Sequence, residues 1–190
     1  MCGLESEGQT EARLIERFQK GDQEAFDAIF ALYRRRLLAY VRVLVHDRGL
    51  AEDIVQDTFV RLARHIAGIK PSRGVSSWIF RVAKNRAIDV IRHRKFETPT
   101  EDAILERSVN AGGGGTAMLP SDAMIGKERR AEVVSALDSL PESERNVLVL
   151  RFYGDLTFKE ISGVVERPIG TVLWQAHRGI RRLRKLLDRR

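Results

Sequence analysis

The side chains best placed for chemistry lie in the last third of the chain. Thr157-Phe158-Lys159-Glu160-Ile161 opens one short helix. Pro168-Ile169-Gly170-Thr171-Val172 opens a second, which runs into Arg178-Gly179-Ile180-Arg181-Arg182-Leu183-Arg184-Lys185. Two short helices across a tight turn, the second ending in a row of cations, have the build of a helix-turn-helix that reads DNA. The chemistry is recognition without covalent change: cations meet phosphate, and side chains near the start of the second helix meet base edges. Ile161, Val164 and Val165 are expected to pack against Ile169, Val172 and Ala176, leaving Thr171, Leu173, Trp174, Gln175, His177 and Arg178 outward. Thr171 and Gln175 can exchange hydrogen bonds with bases, whereas Arg178, Arg181 and Arg182 suit phosphate. An ordinary helical hairpin with a solvated basic end fits less well, because turn, cap and charge agree.

Two further constellations lie upstream. A helix expected over residues 76–94 carries a polar stripe of Arg81, Asn85 and Arg92, flanked by Lys84 and Arg86, and the loop before it holds Lys70, Ser72 and Arg73. Asn offers a donor and an acceptor, as reading a base edge requires. Alone, such a stripe reads as a solvated face; beside a second DNA-binding unit it gains meaning. Asp53-Ile54-Val55-Gln56-Asp57 sets Asp53, Gln56 and Asp57 on one polar helix face, with nothing converging on the carboxylates to hold a metal.

Enzyme chemistry finds little support. His46, His65, His93 and His177 are scattered without ligand spacing. There is no nucleophile elbow, no catalytic carboxylate pair and no nucleotide loop. Gly112 to Gly115 lack the Lys-Ser/Thr that a phosphate-cradling loop needs. No cofactor is expected.

The elements that must position these residues are helical throughout. Phe26, Ile29, Phe30, Tyr33, Leu37, Tyr40, Val41 and Leu44 recur in steps of three and four, which predicts one long helix from Glu24 to Val45. His46-Asp47-Arg48-Gly49 breaks it. The next helix turns Ala51, Val55, Thr58, Phe59, Leu62 and Ile66 inward, and the helix over 76–94 buries Trp78, Ile79, Val82, Ala83 and Val90. Residues 12–19 form a short leading helix stopped by Gly21. Downstream, Ser121 or Asp122 caps a helix reaching Leu140, and Pro141 suits the first turn of the next, which Gly154 ends. Thr157 and Glu160 have capping-box spacing. No segment alternates with strand period, so the fold class is all-α: two small helical domains joined by a flexible linker, the second a helix-turn-helix of winged-helix-like type. The expected boundaries are a flexible tail over 1–11, a first domain over 12–96, an acidic Gly/Pro-containing linker over 97–121 and a second domain over 122–190.

Bulk properties agree. The 190 residues are 43% hydrophobic and carry a net charge of +7, which suits a polyanionic partner. The excess is concentrated: residues 81–95 hold six cations against Asp89, and residues 178–190 hold seven against Asp188. Cys2 is the only cysteine, so no internal disulfide can form. No apolar run approaches the roughly 20 residues of a membrane span, and Met1 to Thr10 lack the features of a secretory signal. The expectation is a cytoplasmic protein without membrane insertion.

In combination these motifs resemble the bacterial RNA polymerase sigma factors, of the extracytoplasmic-function (ECF) group. Asp53-Ile54-Val55-Gln56-Asp57-Thr58-Phe59 resembles the family's core-polymerase contact. Trp78 to Arg86, with Asp89 and Arg92, resembles its promoter-melting helix. Leu140-Pro141, Leu150-Arg151-Phe152-Tyr153 and Pro168 to Val172 resemble its second DNA-binding domain. The resemblance implies that Asp53, Gln56 and Asp57 bind core RNA polymerase. It also implies that Lys70, Ser72, Arg73, Arg81, Asn85, Arg86 and Arg92 hold the minus-ten element of promoter DNA. Thr171, Leu173, Trp174, Gln175, His177, Arg178, Arg181 and Arg182 would meet the minus-thirty-five element. An anti-sigma factor is a further implied partner, the protein being monomeric when free or heterodimeric with its inhibitor. One departure stands out: Leu173, Trp174 and Gln175 occupy positions where the family usually places two cations and a small polar residue. The chief rival reading is a stand-alone helix-turn-helix regulator that binds duplex operators as a dimer, but no dimerisation heptads are present.

Overall fold

A computed structural model describes residues 4–70, 75–97 and 131–188, with side chains for 11–70, 75–93 and 131–188. Residues 98–130, with all of the expected linker but Glu97 and the expected cap at Ser121 or Asp122, and the loop residues Pro71 to Gly74 lie outside the described residues. The described residues contain helices and no strand.

Four helices make the first group: α1 (Leu4–Gln19), α2 (Gln23–Val45), α3 (Arg48–His65) and α4 (Ser76–Glu97), with a 3₁₀ turn at Ile66–Gly68. The leading helix begins earlier than its periodicity predicts. Between Leu4 and Ala12 no apolar residue marks a buried stripe, so the extra turns leave no signal. Asp22 caps α2 by accepting from the amides of Glu24 and Ala25, and Asp47 caps α3 through the amide of Leu50. These caps satisfy amides the first turn of a helix leaves unpaired. His46 closes α2 in the left-handed region at φ 55°, the break expected there. The 3₁₀ turn is pinned by Gln19 Nε2, which donates to the carbonyls of Ile66 and Ile69, 2.8 Å each.

In the second group, residues 131–138 are helical and are called α5. They are followed by α6 (Glu142–Phe152), α7 (Phe158–Val165) and α8 (Ile169–Leu187). Pro141 sits at the cap, one position before the first turn where it was expected. Within each group the core holds side chains the periodicity marks: Ile29, Tyr33, Leu37, Tyr40, Val55, Phe59 and Leu62 above, Val147, Leu148, Leu150, Ile161, Val164 and Val172 below; Ile54, which it did not mark, is buried as well. Burying a side chain of this size contributes about 1.5–3 kcal/mol.

The groups do not stand apart. α4 packs along α7, and α2 touches α6, so one continuous core runs through both. Tyr40 and Phe80 meet edge to face at 5.5 Å on the first group's side of this junction.

Candidate functional faces

The acidic face belongs to α3. Ile54, Val55 and Thr58 are buried and fix the helix against the core, and the Thr58 hydroxyl donates to the Ile54 carbonyl at 2.7 Å. Asp53 and Gln56 are thereby turned outward and exposed. Asp57 is half-buried and tied back: its Oδ2 lies 3.1 Å from Arg61 Nε and 3.6 Å from Arg86 Nε. The three expected residues share a face, but Asp57 also links α3 to α4.

The second face belongs to α4. Ile79, Phe80, Ala83 and Ala87 are buried, which leaves Asn85, Arg86 and Arg92 exposed; Lys70 is exposed in the preceding loop. Ser72 and Arg73 lie outside the described residues. Trp78 packs partly buried against the core, 6.2 Å from the His65 ring, as the inward face of its helix requires. Arg81, expected on the DNA side, is engaged within the chain: its Nη1 lies 2.9 Å from Glu166 Oε1. Lys84 Nζ donates to the Val164 carbonyl at 3.3 Å, and Ser77 Oγ to that of Glu160 at 3.1 Å. Arg36 on α2 donates from Nε to the Gly154 carbonyl at 2.9 Å and from Nη2 to that of Asp155 at 2.6 Å. Lys84 meets the C-terminal end of α7, where unpaired carbonyls and the helix dipole favour cations.

The third face is the helix-turn-helix itself. Thr157 and Glu160 form the reciprocal capping box their spacing predicts. Glu166 ends α7 in the left-handed region at φ 55°, and Ser162 Oγ donates to the Arg167 carbonyl at 2.6 Å, tightening the turn. In α8 the inward stripe is Val172, Gln175, Ala176 and Gly179. Gly179 permits the close approach of α6, because a Cβ there would sit 2.9 Å from Leu148 Cδ1.

Two expectations fail here. Ile169 is exposed rather than buried against α7. Gln175 is only 9% exposed, because it stands three residues after Val172 and four before Gly179, in phase with the buried stripe. Leu173, Trp174 and His177 are outward as expected, and Thr171 is half-exposed.

The arginines of α8 divide. Arg181, Arg184 and the neighbouring Lys185 are exposed. Arg178 and Arg182 instead reach Glu144 at the start of α6, at 3.4 Å and 3.0 Å. Glu144 is 3% exposed, so its charge needs these partners. Arg178 also lies over the Trp174 ring, 4.5 Å from its centroid.

Residues 29–97 match Sigma-70 region 2, and residues 136–185 match Sigma-70, region 4. The ECF RNA polymerase sigma factor SigW of Bacillus subtilis is 33% identical over 182 residues, covering 91% of this chain and 94% of that protein. The chain belongs to the ECF sigma factor family. The ECF RNA polymerase sigma-E factor of Escherichia coli K12 is 31% identical, with 88% of each chain covered. Among solved structures, CnrH in complex with the cytosolic domain of CnrY superposes with a TM-score of 0.68 at 23% identity, covering 94% of this chain and 97% of that one. The sigma factor RpoE of Bartonella quintana, solved with the anti-sigma factor NepR, gives 0.65 at 21% identity, covering 86% and 96%. These two likenesses are of fold.

As a sigma factor the protein directs RNA polymerase to promoters. The match to region 2 spans α4 and the acidic face of α3, and the match to region 4 spans α6 to α8. Sequence reasoning missed Glu144, Glu166, Ser77 and Arg36, which organise the faces from outside them. Glu144 had one available signal: it lies in the first turn of its helix, where a carboxylate is favoured. Among the described residues no group of His, Cys, Asp and Glu could hold a metal ion, and no helix is long and apolar enough to cross a membrane.

Proposed function

We propose that three faces of this sigma factor divide its work. Asp53, Gln56 and Asp57 dock on core RNA polymerase. Lys70, Ser72 and Arg73, with Arg81, Asn85, Arg86 and Arg92, hold the minus-ten element after its strands part. The outward side of α8 meets the minus-thirty-five element as duplex. The observation that carries this reading is the pair of exposed basic faces on separate helical groups: Asn85, Arg86 and Arg92 on α4, and Arg181, Arg184 and Lys185 on α8.

The roles differ in energy. Extruding a base from the stack costs a few kcal/mol, so the minus-ten face must return that through contacts to the base and neighbouring phosphates. The minus-thirty-five face leaves the duplex paired and needs only groove and phosphate contacts. The two elements lie about 25 base pairs apart, roughly 85 Å at about 3.4 Å per pair. Region 2 cannot remain packed on region 4 while each reads its element, so the α4–α7 contact parts when polymerase and promoter bind.

The protein acts by binding, without covalent catalysis, in the cytoplasm where polymerase works. An anti-sigma factor that favours the packed arrangement would keep Arg81 and Lys84 occupied. The acidic linker suits polymerase channels lined with basic residues.

Association of the purified chain with bacterial core RNA polymerase tests the docking role. The chain is expected to co-elute with core enzyme in size-exclusion chromatography, and Asp53→Arg to abolish co-elution without altering the circular dichroism spectrum. Undiminished co-elution of that variant would remove Asp53 from the interface. No co-elution of the parent chain would overturn the assignment of this face.

A further inference from the structure

Four of the large apolar side chains left in solvent lie on one helix: Ile169, Leu173, Trp174 and Ile180 of α8. Trp174 is 55% exposed, although its helix has an apolar core beside it. An exposed indole at the second turn of the second helix of a helix-turn-helix stands where base edges are met. It is also held still. The Arg178 guanidinium covers one side of the ring at 4.5 Å and is itself anchored 3.4 Å from the buried carboxylate of Glu144. Gln175, the side chain here best suited to exchange hydrogen bonds with a base, faces inward. The most exposed side chains in the first two turns of α8, Ile169, Leu173 and Trp174, are therefore apolar, with Thr171 half-exposed beside them, and the following turns are basic.

In the major groove one base alone presents an apolar group, the C5-methyl of thymine. We propose that Trp174 and Leu173 read thymines of the minus-thirty-five element through their methyl groups, while Arg181, Arg184 and Lys185 fix the register on phosphates. This rests on the reading of α8 as the duplex-binding helix. Charge favours DNA over a protein as the occupant. From Leu173 to Leu187 the helix has no acidic residue, and its exposed cations continue the line of the apolar pair. A carbon surface that runs into cations matches a groove of methyls bordered by phosphates.

The test exchanges thymine for deoxyuridine, which removes the methyl and keeps pairing and charge. Holoenzyme assembled from the full chain and core polymerase first selects duplexes from a pool randomised across the minus-thirty-five region. The selected duplex is then resynthesised with each thymine replaced in turn. The selected element is expected to contain thymines, at least one of which loses about fourfold in affinity as deoxyuridine, the effect of one buried methyl-sized group. With Trp174→Ser holoenzyme the loss should vanish at the thymine that Trp174 covers, and with Trp174→Ser and Leu173→Ser together the thymine and deoxyuridine duplexes should bind equally. Trp174 is exposed, so that variant should keep the parent's melting temperature; Leu173→Ser serves as a second variant. A sequence-specific duplex whose affinity is indifferent to every methyl would overturn the thymine reading and leave α8 as a duplex reader. Selection of no minus-thirty-five sequence would overturn both. Loss of binding to a protein partner in Trp174→Ser, with methyl sensitivity unchanged, would assign the face to that partner.

Discussion

The guanidinium of Arg81 on α4 lies 2.9 Å from the carboxylate of Glu166 at the end of α7. A residue expected to face the minus-ten element is thus paired, in the closed molecule, with a residue of the helix-turn-helix. Both side chains reach solvent, 38% and 70% exposed, and such pairs contribute only about 0–1 kcal/mol. A pair this weak is easily exchanged for a phosphate, as the proposed parting of α4 and α7 requires.

Gly163 offers a sharper way to open the molecule. A Cβ there would lie 2.9 Å from Ser77 Oγ and 3.1 Å from Ser77 Cβ. Within α7 alone a larger residue would be favoured over glycine by about 1 kcal/mol. Gly163→Leu combined with Glu166→Arg is therefore expected to separate the groups without unfolding either. Small-angle scattering should show a larger radius of gyration, with helical content retained. An unchanged radius would mean that Arg36, Lys84 and the shared core hold the junction against this clash.

Glu144 joins two arginines from a buried position. Hydrogen bonds to charged groups contribute about 1.5–3 kcal/mol, and Glu144→Gln keeps the shape while removing the charge. Stability is expected to fall by about 1–3 kcal/mol, which corresponds to roughly 2–4 °C in melting temperature per kcal/mol for a chain of this size. Thermal denaturation followed by circular dichroism measures it. No change would show that Arg178 and Arg182 are held by packing alone.

Tyr40 presents the opposite case. Its ring fills the core, but its hydroxyl is buried with no hydrogen-bond partner among the described residues. Removing an unsatisfied polar atom without changing shape is close to neutral or stabilising. Tyr40→Phe should therefore unfold at the same urea concentration as the parent or a higher one. Clear destabilisation would imply a partner for the hydroxyl.

Alkaline pH probes the same residue together with Tyr33. Burial raises both phenols above their ordinary value of 10.0, and for Tyr33 the neighbouring Glu11 carboxylate adds to the effect. The folded chain then holds these protons where the unfolded chain releases them. Their contribution is fully present below about pH 10 and is lost as pH rises beyond it, at roughly 1.4 kcal/mol per pH unit for each phenol. Urea titrations between pH 8 and pH 11 should show this fall, and Tyr33→Phe with Tyr40→Phe should flatten it. A parent chain equally stable at pH 8 and pH 11 would contradict the assignment.

These cases also show what the sequence makes legible. The core of α2 was readable because Ile29, Tyr33 and Leu37 repeat at four-residue steps, and the start of α7 because the capping box of Thr157 and Glu160 is local, its partners three residues apart in the chain. Gln175 was misplaced because its polarity suggested solvent, whereas helix phase puts it in line with Val172 and Gly179. The engagement of Arg81, Lys84 and Arg36 was hidden for another reason. Their partners belong to a helical group some 80 residues or more away in the chain, and local periodicity does not register contacts between separately patterned units. Glu144 was missed similarly: a carboxylate in a first turn looks solvated until α8 covers it.

The most direct test of the central claim is permanganate footprinting of a promoter in the presence of holoenzyme made from this chain and core RNA polymerase. Reactive, unpaired thymines in the minus-ten region are predicted, absent with core enzyme alone and strongly reduced by Asn85→Ala with Arg81→Ala. A holoenzyme that forms and binds the promoter, yet leaves every thymine paired, would contradict the assignment of α4 to promoter opening.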